Sequence, residues 1–200
     1  MPTGVHIRDA RQQLFDAAER VLLRDGPSAL TSRAITTEAG VAKGVLHRHF
    51  ADFDAFLVEL AQDRVARIEA QAAALRQSAG TGTVAGNLTR ALMDLFDSVA
   101  VAIVGLVICR DELRLRLRKA RSSPDIPVLA EASVMIASYL ADECELGRIA
   151  ADVDADSLAL SLIGAGHLLF AGRQGAPPGS GAVDKVVTTV IADVMRRRLR

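Results

Sequence analysis

Apolar positions recur every three to four residues along most of the chain, and no stretch sustains the period-two alternation of a half-buried strand. Leu14, Ala17, Ala18, Val21 and Leu22 share one helical face, which predicts a first helix over residues 8–24. Asp25-Gly26-Pro27 stops it, because glycine accepts a left-handed cap and proline cannot continue a helix. Thr31 suits the N-cap of a second helix that closes near residue 40. A short third helix follows over about 43–49. A fourth spans 52–77, with Phe53, Phe56, Leu57, Leu60 and Val65 or Ile68 as its apolar stripe.

The remainder is longer and more apolar. Residues 78–82, rich in glycine, serine and threonine, predict a loop. Helices are expected at 83–110, 111–120, 127–146, 154–173 and 182–200. Ser122-Ser123-Pro124 separates one pair, Gly147 caps another, and Asp154 or Asp156 caps the next. The segment 175–181, with Pro177-Pro178, reads as a surface loop. The longest apolar run, 99–109, is half the roughly 20 residues a membrane span needs, so it reads as a buried helix. The expected fold is all-α.

Composition narrows this picture modestly. Half of the 200 residues are apolar, enough for a sizeable core, and the formal net charge is zero. Bulk charge therefore does not announce a nucleic-acid partner, although a local basic patch remains compatible with it. Cys109 and Cys144 stand far apart without a C-x-x-C pattern, which argues against a disulfide framework or a zinc site and fits a reducing compartment. The first residues lack the apolar core of a signal peptide. A cytoplasmic protein without membrane attachment, metal or cofactor is expected.

The informative stretch is 31–50. Two short helices meet at Ala39-Gly40-Val41, where a small residue, a glycine and an apolar residue suit a tight turn. Ile35, Ala39, Val41, Leu46 and Phe50 can all point inward. Lys43, Gly44, Val45, His47 and Arg48 then remain on the outer face of the third helix. That face suits a major-groove reader. Lys43 and Arg48 supply charge for phosphates or guanine edges, Gly44 lets backbone approach, Val45 meets a thymine methyl, and His47 donates to a phosphate. Thr31, Ser32 and Arg33 open the second helix, where hydroxyls and N–H groups favour a phosphate. His49 reads as a packing residue or a further phosphate contact.

This stretch resembles the DNA-binding domain of the tetracycline-repressor (TetR) family. The family pattern runs Ala-Gly-Val-Ser-x-Gly-Thr-Leu-Tyr-x-Tyr/His-Phe; here it is Ala39-Gly40-Val41-Ala42-Lys43-Gly44-Val45-Leu46-His47-Arg48-His49-Phe50. Ala42 stands in place of a serine cap, Val45 in place of threonine, His47 in place of tyrosine. Phe53 falls where a lysine often touches phosphate. The resemblance implies a helix-turn-helix domain over 1–52, a linking fourth helix over 52–77, and an effector-binding and dimerisation domain over 78–200. It implies operator DNA as partner, a homodimer through the last two long helices, and a small, largely apolar effector. The faces of Val183, Val186, Val187, Val190, Ile191 and Val194 suit that interface. Dimerisation also fits the charge of residues 1–50, where Arg8, Arg11, Arg20, Arg24, Arg33, Lys43 and Arg48 oppose Asp9, Asp16, Glu19, Asp25 and Glu38. One such weakly basic copy should bind DNA poorly.

Other residues admit two readings. Met93, Phe96, Met135 and Tyr139 are core residues or, by the resemblance, linings of an effector pocket. His167, in an apolar helix, is a core or interface histidine or a pocket residue. Arg114-Leu115-Arg116-Leu117-Arg118-Lys119 reads as a charged helix that faces solvent, an acidic effector or the DNA-proximal domain. Arg196, Arg197, Arg198 and Arg200 suit a helix C-terminus. Nucleotide-binding, metalloprotease and serine-hydrolase motifs are absent, so an enzyme is not expected. A helical protein-interaction adaptor is the alternative, and a small helical enzyme the more distant one.

Overall fold

A computed structural model of the chain describes residues 10–96, 98–121, 126–171 and 177–197. Residues 8 and 9 of the expected first helix, Ser122-Ser123-Pro124, Arg173, the start of the 175–181 loop, Arg198 and Arg200 lie outside the described residues. The fold is all-α, and no strand occurs among the described residues. The helices are α1 (Ala10–Asp25), α2 (Ser32–Glu38), α3 (Val45–His49), α4 (Phe53–Gln77), α5 (Val84–Leu95), α6 (Ser98–Cys109), α7 (Asp111–Arg121), α8 (Pro127–Glu145), α9 (Ala155–Ala171) and α10 (Ser180–Arg197). A single 3-10 turn, Pro27–Ala29, joins α1 to α2. No single helix among the described residues is long and apolar enough to cross a membrane.

Local chemistry explains most boundaries. Thr31 caps α2 by accepting from the Ala34 N–H at 3.1 Å, and Thr83 caps α5 by accepting from the Gly86 N–H at 3.0 Å. Asp154, rather than Asp156, caps α9, with its carboxylate accepting from the Ser157 N–H and hydroxyl. Gly147 takes φ +65° after α8, and the Arg148 N–H reaches the Glu143 carbonyl at 2.9 Å, a Schellman closure.

One expected helix is two. The continuous helix anticipated over 83–110 breaks after Leu95, where Phe96 leaves helical geometry at φ −91°, ψ 38°. Tertiary contacts hold Phe96 at this break. The Phe96 ring is 1% exposed, 5.6 Å from the Phe170 ring and 5.9 Å from that of His167. A Cβ added at Gly166 would lie 2.7 Å from Phe96 Cε2, so the missing side chain of Gly166 is what seats the ring.

The chain forms two compact units. The first comprises the described residues of Met1–Asp63 and Ala102–Pro124, the second those of Arg64–Val101 and Asp125–Arg200. Compactness thus groups α7 and most of α6 with the N-terminal helices, whereas the division expected from the sequence falls at residues 52 and 77. In the first unit α1 packs on α2, and Leu14, Leu22, Leu30, Ile35, Leu46 and Phe56 are buried. In the second, α8 packs on α9, and α10 on α5 and α9. Val183, Val187, Ile191 and Val194 of α10 are buried in that packing. This corrects the expectation that they present a free face to a partner: in this unit they fill its own core, because α5 and α9 flank them.

Candidate nucleic-acid interface and ligand clefts

The turn between α2 and α3 is built by backbone. Ala39 ends α2 in helical geometry, and Gly40 follows at φ +66°, which a side chain would strain. The Val41 N–H donates to the Thr36 carbonyl at 3.0 Å and the Gly40 N–H to the Thr37 carbonyl at 3.1 Å. These two bonds are again the Schellman pair. Gln13 of α1 locks the turn from outside by donating to the Ala39 carbonyl at 3.1 Å. Val41 is only half-buried, so the expected plug beneath the turn is partial; Ile35 and Leu46 fill the space completely.

Behind α3 lies an aromatic cluster. Phe50 meets Phe56 edge-on at 5.0 Å, and Phe15 lies within 5.8 Å of both. Arg11 covers the outer side of Phe50 with its guanidinium 4.5 Å from the ring centre, donates to the His49 carbonyl and pairs with Glu59. These contacts set the roll of α3, a five-residue helix with no side-chain cap at Gly44. The absence of that cap is the physical consequence of Ala42 standing where a serine would serve.

The charges then sort themselves. Arg20 and Arg24 converge on Glu38 at 2.8 and 2.7 Å, and Arg24 also pairs with Asp25. Glu38 is held below the usual carboxylate range by Arg24 first and Arg20 second. Arg33, Lys43 and Arg48 are exposed and make no ion pair among the described residues. Internal pairs take up Asp25 and Glu38 and leave Arg33, Lys43 and Arg48 uncompensated on the surface.

Each residue expected at the interface has a definite place. Lys43, Gly44, His47 and Arg48 are exposed, Val45 and His49 half-buried. A Cβ at Gly44 would meet nothing within 4 Å. Arg33 is exposed on α2. The Thr31 hydroxyl is committed to its cap, and the Ser32 hydroxyl is buried without a hydrogen-bond partner.

Phe53 turns inward. Its ring stacks 6.1 Å from Phe56, and the Arg110 guanidinium sits 5.4 Å above it. The neighbouring carboxylates are also engaged. Asp52 caps α4 by accepting from the Ala55 N–H at 2.6 Å, and both its carboxylate oxygens accept at 2.9 Å from the one Arg116 Nη1, while Asp54 pairs with Arg110 at 3.6 Å. Asp52 is consequently held below its ordinary range, by the Ala55 N–H first and Arg116 next. Of the alternatives for the arginine–leucine run, the structure selects a helix whose Leu113 and Leu117 are buried and whose Arg116 grips the start of α4. The sequence carried no signal for this pairing, 64 residues apart.

The second unit holds two clefts on either side of Met135. One, of about 150 Å³, lies among α4, α5 and α8; the other, of about 360 Å³, lies between α4 and α8. Met135 lines both, whereas Met93, Phe96, Tyr139 and His167 line neither. Tyr139 is fully buried in a polar network. Asn87 donates to its hydroxyl at 3.1 Å, and Glu143, itself fully buried, pairs with Arg148 at 3.3 Å and accepts from the Gly80 N–H. Burial first, and the hydrogen bond to Glu143 second, raise the Tyr139 pKa well above its usual value. His167 packs against Phe96, its Nδ1 buried without a hydrogen-bond partner, and burial lowers its pKa. Gln71, Arg90 and Asp94, which no sequence motif singles out, line the smaller cleft. They lie on two helices at ordinary surface spacing, so only the fold assembles them.

Residues 14–60 match the family described as bacterial regulatory proteins, tetR family. No curated protein matches the chain. Solved structures share its fold at low identity. The fatty acid degradation regulator FadR from Bacillus halodurans is 18% identical with a TM-score of 0.70, over 96% of this chain and 97% of that one. A TetR-family member from Streptomyces coelicolor A3 is 23% identical with a TM-score of 0.62, over 92% and 98%. The regulator FadR from Bacillus subtilis, in complex with stearoyl-CoA, is 16% identical with a TM-score of 0.65, over 90% and 97%.

Proposed function

We propose that the chain is a TetR-family transcriptional regulator, a reading supported by the family match over residues 14–60 and the shared fold, and that it is a cytoplasmic, homodimeric repressor that leaves its operator when a small molecule binds the second unit. The observation that carries the DNA contact is the exposed, unpaired trio Arg33, Lys43 and Arg48 around an open Gly44. Lys43 and Arg48 engage phosphates or guanine edges, Val45 meets a thymine methyl, and His47 and His49 donate to phosphates. Arg33 reaches the flanking backbone, and Thr31 caps the start of α2.

The dimer forms through α9 and α10. Leu160 and Leu168 of α9 are 67% and 75% exposed, with Gly164 between them at four-residue spacing and open space where its Cβ would stand. An exposed leucine pair flanking a glycine favours close approach of a second helix. Two copies present two recognition helices to half-sites about 34–36 Å apart. The clefts beside Met135 support a ligand reading, as does the ligand-bound Bacillus subtilis regulator of the same fold. Helix α4 begins in the first unit and ends in the second, so a ligand that displaces its far half alters the spacing of the recognition helices.

Selection of bound sequences from a random DNA pool tests this directly, with a two-fold symmetric consensus expected. Lys43→Ala and Arg48→Ala should each weaken binding and lower the salt slope by about one unit for each phosphate that is no longer neutralised. If both variants bind the selected sequence like the wild type, the assigned contact surface is wrong. An adaptor or an enzyme would yield no consensus at all.

A further inference from the structure

The smaller cleft has a defined size and an uneven polarity. Ala74 and Leu75 of α4, Ala91 of α5 and Met135 of α8 give it an apolar interior. A cavity of about 150 Å³ with apolar walls is the size that holds a single benzene ring. Gln71 of α4, Ser78 and Asn87 add neutral polar groups to its lining, and its two charged groups sit together on α5. Arg90 and Asp94 are four residues apart on that helix and line the cleft, and both are exposed. Residues at that spacing are side-chain neighbours. Yet neither side chain makes an ion pair or hydrogen bond among the described residues. One edge of a ring-sized apolar slot therefore carries an uncommitted cation and an uncommitted anion.

The opposite wall limits length. Met135 is 2% exposed and separates this cleft from the larger one, whose walls include Ala72, Ala73 and Val134. While Met135 holds its place, a ligand in the smaller cleft ends there.

We propose that the smaller cleft takes an aromatic carboxylic acid of one ring bearing a hydrogen-bond donor, such as a hydroxy- or aminobenzoate. Arg90 binds the carboxylate, Asp94 accepts from the donor substituent, and Met135 closes the slot against longer chains. This rests on the reading that the second unit holds the effector, and it sharpens that reading to a class of molecule. Charge-assisted bonds at both ends of α5's rim select an acid with a donor over a neutral ring. The apolar walls select a ring over a small polar anion.

Calorimetric titration of the full-length protein with 3-hydroxybenzoate, 3-hydroxybenzamide and decanoate tests the proposal. One saturable site per chain is expected for 3-hydroxybenzoate, with the neutral amide and decanoate weaker by about tenfold or more. Arg90→Ala should weaken 3-hydroxybenzoate about tenfold and leave the amide nearly unchanged, with unchanged thermal melting because Arg90 is exposed and unpaired. Met135→Ala should reverse the ranking in favour of decanoate. Absence of saturable binding by 3-hydroxybenzoate, equal affinity in Arg90→Ala, or preference of the wild type for decanoate would overturn the proposal. A mobility shift on the selected operator separates the two readings. Arg90-dependent binding that leaves DNA affinity unchanged keeps the site and defeats the effector role. Release of DNA by a ligand indifferent to Arg90→Ala and Met135→Ala keeps an effector role and defeats this site.

Discussion

Behind α3, the first unit buries aromatic rings and shows lysine, arginine and histidine to the outside. In the second unit, α8 buries an Asn87–Tyr139–Glu143–Arg148 polar network, while α9 shows Leu160, Gly164 and Leu168. The reversal is informative because each outer surface is matched to a different kind of neighbour. A cationic face over a rigid apolar base complements phosphates, which need charge held at fixed positions. An apolar face complements another apolar face, and its gain comes from area removed from water. The buried polar network offsets the burial of Glu143 through the Arg148 ion pair and its hydrogen bonds, and it ties α5, α8 and the loop at Gly80 together.

Four perturbations break or sharpen that contrast. The largest removes the apolar base: Phe50→Ala should cost about 3–5 kcal/mol in the first unit. Denaturant unfolding followed by probes in each unit should show that loss confined to the signal from the N-terminal helices. Next comes the hidden polar base. Glu143→Ala removes the ion-pair partner of Arg148 and the carboxylate beside the Tyr139 hydroxyl, and should cost about 2–4 kcal/mol, read as a lower thermal midpoint. A variant as stable as the wild type would mean that the network is not a structural base at all.

The third changes a surface without touching a core. Leu168→Glu should raise the dimer dissociation constant by at least about tenfold, measured by sedimentation, with the monomer fold intact because Leu168 is exposed. An unchanged dimer would move the interface away from this face of α9.

The smallest effect concerns pH. Burial places the folded-state pKa of His167 below the ordinary 6.5. The unfolded chain therefore takes up this proton first. The contribution is complete above 6.5 and is lost as pH falls through the folded-state value. Urea midpoints at pH 7.5 and 5.5 should show a drop in the wild type that His167→Gln reduces. An equal drop in both would assign the slope to other groups. The carboxylates held low, Glu38, Asp52 and Asp154, lose their contributions only at more acid pH, below the ordinary carboxylate range.

The head of the molecule was legible in sequence because its determinants are local. Thr31 three residues before the N–H it caps, Gly40 at the left-handed position of the α2–α3 turn, and Leu46 in α3 with Phe50 four residues on at its C-cap are features of neighbouring residues. So are the exposed Lys43, His47 and Arg48, which follow once Leu46 and Phe50 face inward. The helix count of the second half was nearly legible for the same reason, since caps such as Asp154 and Gly147 act within a few residues.

Tertiary packing decided the rest. Asp97-Ser98 offers a local N-cap signal after Phe96, but that the Phe96 ring is seated against Gly166 of α9 is not encoded nearby. Apolar spacing marked α10 as one-sided but could not say which neighbour its valines meet, and they meet α5 and α9. Arg116 joins Asp52, and Gln71, Arg90 and Asp94 gather at one cleft, across separations that periodicity does not encode. The sequence by itself determined the all-α class, the capped α2–α3 turn and the cationic outer face of α3, because caps and helical periodicity act over three to five residues. Only the tertiary structure decided that Arg116 pairs with Asp52 and which residues line each cleft, because those outcomes depend on shape complementarity between helices distant along the chain.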